Sequence, residues 1–362
     1  MSNNNCVSPL ESLGADASVH QLFEPFAAQG LLLGRVVISQ RDRYQVHTAS
    51  GDLSAGISGT LRHRSVGLGG MPVTGDWVAL RVAGALHAAV IAVLPRRTIL
   101  SRRAAGTRED QQPIAANIDL VFLVCGLDGD FNLRRLERYL TLVAEGGGEP
   151  VVVLNKADLC PGVETRMVET AVVARGARIV PASTMLPRGL DGIRSFLAYG
   201  RTVALLGSSG VGKSAIVNCL LGEEKLRTGE VRESDSRGRH TTTQRELIQL
   251  PGGGILIDTP GMRELQLWAG RDSVDRTFDE IAEIVTACRF RNCSHSGESG
   301  CAVMSALAEG VVSDERWQSY RKLTAEAKRH EELTNPLAAA ERKKRDKAIH
   351  KGLRVFNRRK NS

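Results

Sequence analysis

The chain has 362 residues, of which 42% are hydrophobic; this is enough for two or three domains with cores of their own and excludes an intrinsically disordered protein. Its net charge of +8 resides in the segment from Glu341 to Ser362, which contains ten Lys or Arg and two Asp or Glu residues, so binding to polyanions is expected to be local. Seven cysteines without a regular pairing pattern, a polar start and no apolar run long enough to cross a bilayer predict a cytoplasmic protein that does not contact membranes.

The first predicted elements are an N-terminal arm and a small β-barrel. Residues 1–29 are polar with a weak apolar periodicity around Phe23, which predicts a short helix or an ordered arm and no particular function. From Leu31 to Val93, short apolar runs alternate with turn residues, a pattern typical of a barrel of about five strands. We therefore predict an OB-like, RNA-binding domain over residues 30–100.

The barrel segment is basic and poor in aromatic residues. Between Leu31 and Arg97 there are eight arginines, three Asp or Glu residues and two aromatic residues, Tyr44 and Trp77. Because proteins that bind single strands stack the bases on aromatic side chains, this composition favours recognition of phosphates and shape in folded RNA. A solvated basic face without a ligand is the alternative.

A domain of α/β type is predicted over residues 101–270. It begins with a polar segment near residues 101–113, which predicts a linker or mobile loop. The apolar run DLVFLVC, a segment with helical spacing and a second apolar run, PVVVLN, then predict a strand, a helix and a strand.

The second apolar run ends in an N-K-x-D pattern made by Asn155, Lys156 and Asp158. An aspartate at this place can accept hydrogen bonds from N1–H and the 2-amino group of guanine, and a site that requires such bonds discriminates by ~10⁴–10⁵. The first two residues are predicted to support the loop and cover the base. After the later run ARIVPAS, Ala182 or Ser183 is predicted to donate a backbone N–H to guanine O6. The pattern alone is an ordinary turn, but beside a phosphate-binding loop it indicates guanine.

The strongest motif lies in the stretch TVALLGSSGVGKSAIVNCLLG, where G-x-x-x-x-G-K-[ST] stands between an apolar run and a helical pattern. Backbone N–H groups of such a loop wrap a phosphate, and the start of the helix adds partial positive charge. Lys213 is predicted to act in catalysis by neutralising β- and γ-phosphate oxygens, and the Ser214 hydroxyl to ligate Mg²⁺. A glycine-rich turn with an incidental lysine is the alternative. The predicted nucleotide contacts in this loop are Gly207, Ser208, Ser209, Gly210, Val211, Gly212, Lys213, Ser214 and Ala215.

Two further segments have the features of nucleotide switches. Asp258 begins D-T-P-G after an apolar run and can hold Mg²⁺ through water, while the Gly261 N–H can sense the γ-phosphate. Thr241 and Thr242 offer hydroxyls from a hydrophilic loop that should be ordered only with triphosphate bound. The predicted magnesium ligands, direct or through water, are Ser214, Thr242 and Asp258.

The order of these motifs is unusual, because the guanine motif precedes the phosphate loop. A circular permutation explains this order without a change of fold, since chain ends can be rejoined where they lie close together on the surface. The permutation places the γ-phosphate sensor almost directly before the C-terminal domain, so nucleotide state could reposition that domain.

The C-terminal domain, predicted over residues 271–335, contains four candidate metal ligands in the spacing C-x₄-C-x-H-x₅-C. They are Cys288, Cys293, His295 and Cys301. Three thiolates and one imidazole satisfy tetrahedral Zn²⁺ and leave no open position, so we predict a structural zinc site; reduced buried cysteines beside a surface histidine are the alternative. Helical patterns follow and predict a mainly helical domain. The basic tail, residues 336–362, is expected either to bind RNA or to aid solubility.

Several motifs in one order support a resemblance to a known family. They are GDWV at residues 75–78, AANID at 115–119, FNLRRLERYL, NKAD, GSSGVGKS, GRHTTT at 238–243, DTPG and CRFRNCSHSGESGCAV. In this combination the chain resembles the circularly permuted GTPases that act in maturation of the bacterial small ribosomal subunit. The resemblance covers about Leu31 to Leu333 and implies an OB barrel, a permuted GTPase domain and a zinc domain that grip ribosomal RNA late in assembly and leave after GTP hydrolysis. We expect a monomer that uses GTP/GDP, Mg²⁺ and one structural Zn²⁺.

The catalytic residues are less clearly indicated. Small GTPases commonly place a glutamine after the D-T-P-G-type motif to orient water, whereas this chain has Met262, so slow intrinsic turnover is predicted. We hypothesise that His240 positions the attacking water once RNA orders its loop and that Arg239 supplies charge; a simple RNA contact by His240 is the alternative. An RNA-binding scaffold with a structural or regulatory guanine-nucleotide site, and an ATPase or kinase, are the other functions left open.

Overall fold

The structure is a computed structural model, and the residues it describes are 8–40, 43–64, 70–103, 111–129, 131–224, 245–258 and 271–334. They form two compact units, one with all described residues up to 258 and the other with those from 271 onward. The barrel and the α/β domain thus belong to one unit, and the predicted boundary between them near residue 100 stays a prediction.

The N-terminal arm folds as two short helices, α1 (Pro9–Ser12) and α2 (Ala17–Ala27). The carboxylate of Asp16 caps α2 by accepting a hydrogen bond of 3.0 Å from the N–H of Val19. Apolar side chains of both helices belong to the core that continues into the barrel and the α/β domain. These side chains are Leu10, Val19 and Phe23. The described part of the arm, from residue 8 onward, is therefore part of the folded unit.

The next five strands close into a barrel. They are β1 (Leu32–Gln40), β2 (Arg43–Thr48), β3 (Gly51–Ile57), β4 (Trp77–Val82) and β5 (His87–Val93), with helix α3 (Gly59–Arg64) between β3 and β4. The pairing order β1-β2-β3-β5-β4 returns to β1 through antiparallel pairing of β1 with β4. Five strands closed in this way confirm the predicted OB-like barrel. Tyr44 and Trp77 are both buried in the barrel.

Among the described arginines of the barrel segment, Arg35, Arg96 and Arg97 have partners within the protein. Arg35 is fully buried. Arg96 donates two hydrogen bonds of 2.8 Å to the buried carboxylate of Asp76, and Arg97 pairs with Asp16 at 2.6 Å. The guanidinium groups of Arg35 and Arg96 are thus engaged inside the protein, because a buried cation needs partners.

The polar segment near residues 101–113 is not a simple linker. Strands β6 (Ile99–Arg103) and β7 (Gln111–Ala116) pair antiparallel within it. The prediction of a linker was wrong at these positions because polar composition does not exclude a hairpin whose apolar residues lie at its base, where Leu100 and Ile114 are buried.

The α/β domain follows the hairpin. Its strands are β8 (Leu120–Gly126), β9 (Glu149–Asn155), β10 (Arg178–Pro181), β11 (Thr202–Leu206), β12 (Arg245–Gln249) and β13 (Ile255–Asp258); its helices are α4 (Leu133–Gly146), α5 (Val163–Ala174), α6 (Asp191–Arg194) and α7 (Lys213–Leu221). The order is β10-β9-β8-β11-β13-β12, and all neighbours are parallel except β12 and β13. Strands β8 and β11 are buried along their whole length, as expected for a sheet covered on both faces.

The order of the strands indicates where a ligand would bind. From β8 the chain proceeds outward to β9 and β10 and then returns to the other side of β8 as β11. The loops after β8 and β11 therefore diverge at the carboxyl edge of two neighbouring strands, which is a topological switch point. Ligands of open α/β sheets bind in the crevice at such points.

The barrel and the α/β domain share one continuous sheet of eleven strands, because β1 pairs with β12. The buried guanidinium of Arg35 lies at this junction. It donates to the carbonyl oxygens of Leu13 and Asn117, the latter at 3.1 Å, and to the hydroxyl of Thr202 at 2.9 Å. Burial lowers the pKa of Arg35 to about 10, so the side chain is still charged at neutral pH.

The second unit is mainly helical, as predicted. Its helices are α8 (Arg271–Thr277), α9 (Asp279–Thr286), α10 (Ala302–Ala308) and α11 (Asp314–Thr334). Phe278, Trp317 and Tyr320 form the aromatic part of its core. Arg316 lies over the ring of Phe278 and donates to the carboxylate of Glu280 at 2.6 Å. Among all helices in the described ranges, none is both long and apolar enough to cross a membrane.

Candidate nucleotide-binding and metal sites

The phosphate loop leaves the buried strand β11 and enters helix α7 at Lys213. Gly212 has a positive φ of 94°, and a side chain there would collide with the amide nitrogen of Asn155. The ammonium group of Lys213 donates to the carbonyl oxygens of Gly207 at 2.7 Å and Ser208 at 2.5 Å. The lysine is thus held across the loop that the sequence predicts to bind phosphate.

The exposure of the loop suits an incoming ligand. Ser209 and Gly210, at its tip, are exposed, whereas Val211 is buried beneath it. Ser214 and Ala215 lie half-buried in the first turn of α7, where backbone N–H groups have no partners within the helix. This arrangement can receive a phosphate group, as predicted from the motif.

The guanine motif lies beside the loop. Asn155 ends β9 and is buried, and its side-chain amide donates to the carbonyl oxygen of Val211 at 2.7 Å. Asp158 follows in a short 3₁₀ turn and accepts a hydrogen bond of 2.5 Å from the Ser183 hydroxyl. The structure therefore brings together residues of N-K-x-D, the phosphate loop and the segment after β10, although they are far apart in sequence.

The two candidate donors for guanine O6 do not fit their predicted role. The N–H of Ala182 donates to the carbonyl oxygen of Leu154 at 2.8 Å, and the N–H of Ser183 donates to that of Gly189 at 3.0 Å. Because both groups are already hydrogen-bonded, the geometry argues against the predicted contact with O6. The hydroxyl group of Ser183 donates to the carboxylate of Asp158.

Sequence reasoning missed two residues after β8. Asp128 forms an ion pair of 2.5 Å with the ammonium of Lys156, and both side chains are about one-third exposed. Arg135, in the first turn of α4, donates to the hydroxyl of Ser208 in the phosphate loop. The available signal was positional: a polar stretch after an apolar run becomes informative only when that strand is known to neighbour the phosphate-loop strand.

Part of the predicted magnesium and switch region lies outside the described residues. This holds for His240, Thr241, Thr242 and Gly261. Asp258 is the last residue of β13, and β13 is the neighbour of β11. Its backbone is therefore placed at the same edge of the sheet as the phosphate loop, while its role and that of Ser214 as magnesium ligands stay predictions.

The second unit contains a compact group of metal-ligand side chains. Their ligand atoms all lie within 4.8 Å of one another, and they belong to Cys288, Cys293, His295 and Cys301. The imidazole Nδ1 of His295 lies 3.6 Å from the sulfur atoms of both Cys288 and Cys301. Three sulfur atoms and one imidazole nitrogen so close together could hold a metal ion, as the sequence spacing predicted.

The loop between the metal-ligand residues is stabilised by Glu298. Its carboxylate accepts hydrogen bonds from the hydroxyl of Ser294 and, at 2.8 Å, from the N–H of Ser296. These bonds lower the pKa of Glu298 to about 2, so the carboxylate is ionised throughout the physiological range. Trp317 packs edge-on against His295, with ring centroids 5.5 Å apart, and restricts the imidazole ring.

A phosphate loop, an adjacent N-K-x-D motif and a sheet whose strands appear in permuted order define a circularly permuted P-loop GTPase that carries an OB-like barrel. A sequence model of the RsgA GTPase family matches residues 93–268. The chain belongs to the RsgA GTPase family.

Individual relatives extend this result beyond the GTPase domain. The chain is 43% identical over 359 residues to a protein of Opitutus terrae named small ribosomal subunit biogenesis GTPase RsgA, covering 96% of this chain and 98% of that one. It is 46% identical over 297 residues to the protein RsgA 2 of Lactiplantibacillus plantarum, which has the same description, covering 82% of this chain and 84% of that one.

Solved structures show the same fold. YjeQ from Thermotoga maritima is 25% identical and superposes with a TM-score of 0.62, covering 82% of this chain and 98% of YjeQ. YloQ, described as a circularly permuted GTPase, is 22% identical with a TM-score of 0.57, covering 82% of this chain and 95% of YloQ. The architecture predicted from the sequence is therefore confirmed.

Proposed function

We propose that this protein hydrolyses GTP as a factor in late maturation of the small ribosomal subunit, which it binds through ribosomal RNA and leaves after hydrolysis. The observation that carries the proposal is the 43% identity, over nearly the whole length of both chains, to the Opitutus terrae protein named small ribosomal subunit biogenesis GTPase. The adjacent phosphate loop and N-K-x-D motif supply the chemistry that such an activity requires.

In this proposal the base is read at the end of β9 and in the segment after β10. The Ser183 hydroxyl holds one oxygen of Asp158, and the carboxylate accepts from N1–H and the 2-amino group of guanine. Because the N–H groups of Ala182 and Ser183 are engaged elsewhere, we assign the contact with O6 to the next N–H, that of Thr184. Mg²⁺ would be held by Ser214, Asp258 and Thr242, directly or through water, and would neutralise charge between the phosphates.

The RNA contacts are assigned to basic groups of the barrel and to the tail. Arg43, Arg62 and Arg81 are exposed on the barrel and are suited to phosphate contacts. The basic residues of 336–362 lie outside the described residues and add a strongly cationic segment. Contacts of this kind predict affinity that falls as salt rises.

Stimulation by the small subunit separates this function from the alternative, an RNA-binding scaffold with a structural or regulatory nucleotide site. We expect purified small subunits to raise the rate of GTP hydrolysis at least about tenfold, because contact with the subunit would complete the catalytic site. Phosphate release is measured with small subunits, with large subunits as control and with neither. Equal rates in all three conditions would favour the scaffold.

The catalytic role of His240 is tested in the same assay. If His240 positions water, His240→Ala should lose the stimulated rate while binding to the subunit is unchanged. Full stimulated turnover of this variant would leave His240 only the alternative role of an RNA contact.

We assign the metal of the second unit to a structural Zn²⁺. A tetrahedral zinc ion with ordinary Zn–S and Zn–N bonds separates a sulfur from a nitrogen by about 3.6 Å, in agreement with both sulfur-to-Nδ1 distances of His295. Four protein ligands leave no position for a reacting water, so the ion would stabilise the fold and would not take part in hydrolysis.

Loss of this metal is expected to unfold the second unit selectively. Cys293→Ser should reduce bound zinc from one equivalent to near zero and lower the midpoint of thermal unfolding of this unit, because metal binding and folding are coupled. Zinc content is measured by mass spectrometry of the purified protein. The matched control is Cys219→Ser, because Cys219 is exposed and lies outside the cluster. One equivalent of zinc in Cys293→Ser would contradict the assignment.

A further inference from the structure

The phosphate loop is contacted by a residue that belongs to none of the nucleotide motifs. Arg135 lies in the first turn of α4 and donates from Nη1 to the hydroxyl of Ser208. Helix α4 follows β8 and the phosphate loop follows β11, two parallel strands that pair directly. The contact therefore spans the switch point of the sheet, which is the crevice where the nucleotide would bind.

The position of Arg135 is unfavourable for the helix itself. The first turn of α4 contains Arg134 and Arg135 and no acidic residue, although the partial positive charge of a helix N-terminus favours acids there. The backbone N–H of Arg135 is capped by the side chain of Asn132 at 3.0 Å. A cation at this place becomes favourable when an anion binds beside it, and the adjoining loop is the predicted site of the triphosphate.

Ser208 is held at two points. Its carbonyl oxygen accepts from the ammonium of Lys213 at 2.5 Å, and its hydroxyl accepts from Arg135. The platform that carries the arginine is rigid, because Leu136 and Val143 of α4 are buried in the main core. The two cations thus hold Ser208 both by its backbone carbonyl and by its side-chain hydroxyl.

We propose that Arg135 is a positioning residue of the GTPase reaction, which holds the phosphate loop through the Ser208 hydroxyl and keeps a positive charge beside the bound triphosphate. This inference rests on the proposed GTP hydrolysis. A loop fixed in advance binds phosphates without an ordering cost, and its N–H groups stay aligned as charge develops on the transferred phosphoryl group.

The test is a double-mutant cycle on the full-length protein. Arg135→Gln and Ser208→Ala are each expected to lower kcat/KM for GTP about tenfold, the range expected when a charged hydrogen bond is lost. The double variant should show no loss beyond that of Arg135→Gln, because both changes remove the hydrogen bond between Arg135 and Ser208. Arg135→Lys should recover part of the loss. Arg134→Gln removes the same charge from the same helical turn, and this exposed control should stay within about twofold of the unchanged protein.

Two results would overturn the proposal: Arg135→Gln behaving like Arg134→Gln, or the effects of Arg135→Gln and Ser208→Ala multiplying in the double variant. Thermal unfolding of every variant separates these results from loss of the fold. Affinity for a fluorescent, non-hydrolysable GTP analogue is measured in the same set. If the unchanged protein does not turn over GTP, the proposed function fails, whereas the pattern of affinities still decides whether Arg135 acts through Ser208.

Discussion

Replacing Lys213 with alanine is expected to reduce GTP hydrolysis by about 10²–10³-fold, the loss seen when one preorganised donor to a developing negative charge is removed. The ammonium group is held over the phosphate loop by the carbonyl oxygens of Gly207 and Ser208. In this position it can neutralise β- and γ-phosphate oxygens as charge develops in the transition state. Lys213→Arg should not restore the rate, because a planar guanidinium does not fit the place of a compact ammonium.

The measurement is single-turnover hydrolysis with small subunits present, since intrinsic turnover is expected to be slow. Lys322→Ala serves as the control, because Lys322 is exposed on α11 in the other unit. Binding of GDP is measured in parallel and separates loss of affinity from loss of rate. A rate for Lys213→Ala within a few-fold of the unchanged protein would contradict the catalytic role of this lysine.

Replacing Asp158 with asparagine is expected to weaken GTP binding at least about 100-fold and to create binding of xanthosine triphosphate. Guanine presents two donors, N1–H and the 2-amino group, to the carboxylate; an asparagine amide offers one acceptor and places a donor against one of them. Xanthine has a carbonyl group where guanine has its 2-amino group, so it accepts from the amide. The hydroxyl of Ser183 donates a hydrogen bond to one oxygen of the Asp158 carboxylate.

Competition between GTP, ATP and xanthosine triphosphate for a fluorescent guanine nucleotide measures this exchange. Asp191→Asn is the matched control, because Asp191 is a surface residue paired with Arg188. Competition by ATP as strong as that by GTP in the unchanged protein would favour the ATPase or kinase alternative. If Asp158→Asn kept the preference for GTP unchanged, Asp158 would not be the residue that recognises the base.

Most of the features that could be predicted from the sequence depend on local motifs. The phosphate loop was recognisable because its backbone path is set by consecutive residues, with a glycine such as Gly212 where positive φ and close approach to Asn155 are required. The four candidate metal ligands were recognisable for a similar reason, since they lie within one short segment. Strand and helix types followed from periodicity, which is a local property.

Contacts between distant segments could not be predicted. The hydrogen bond from the Ala182 N–H to the carbonyl oxygen of Leu154 could not be predicted, because its acceptor lies on the neighbouring strand β9. The count of arginines in the barrel does not reveal that Arg35 is buried and that Arg96 pairs with the buried carboxylate of Asp76. The contacts of Asp128 and Arg135 could be recognised only once β8 was known to lie beside β11.

The sequence by itself indicated the class of nucleotide, the permuted order, the OB-like barrel and the metal cluster, because each follows from short motifs and their order along the chain. The tertiary structure alone decided how the barrel joins the GTPase sheet, through the pairing of β1 with β12 and the buried Arg35. It also decided which side chains support the phosphate loop. The physical reason is that a buried charge or a loop hydroxyl takes whichever partner the packed strands bring within hydrogen-bonding distance, and that partner can lie anywhere in the chain.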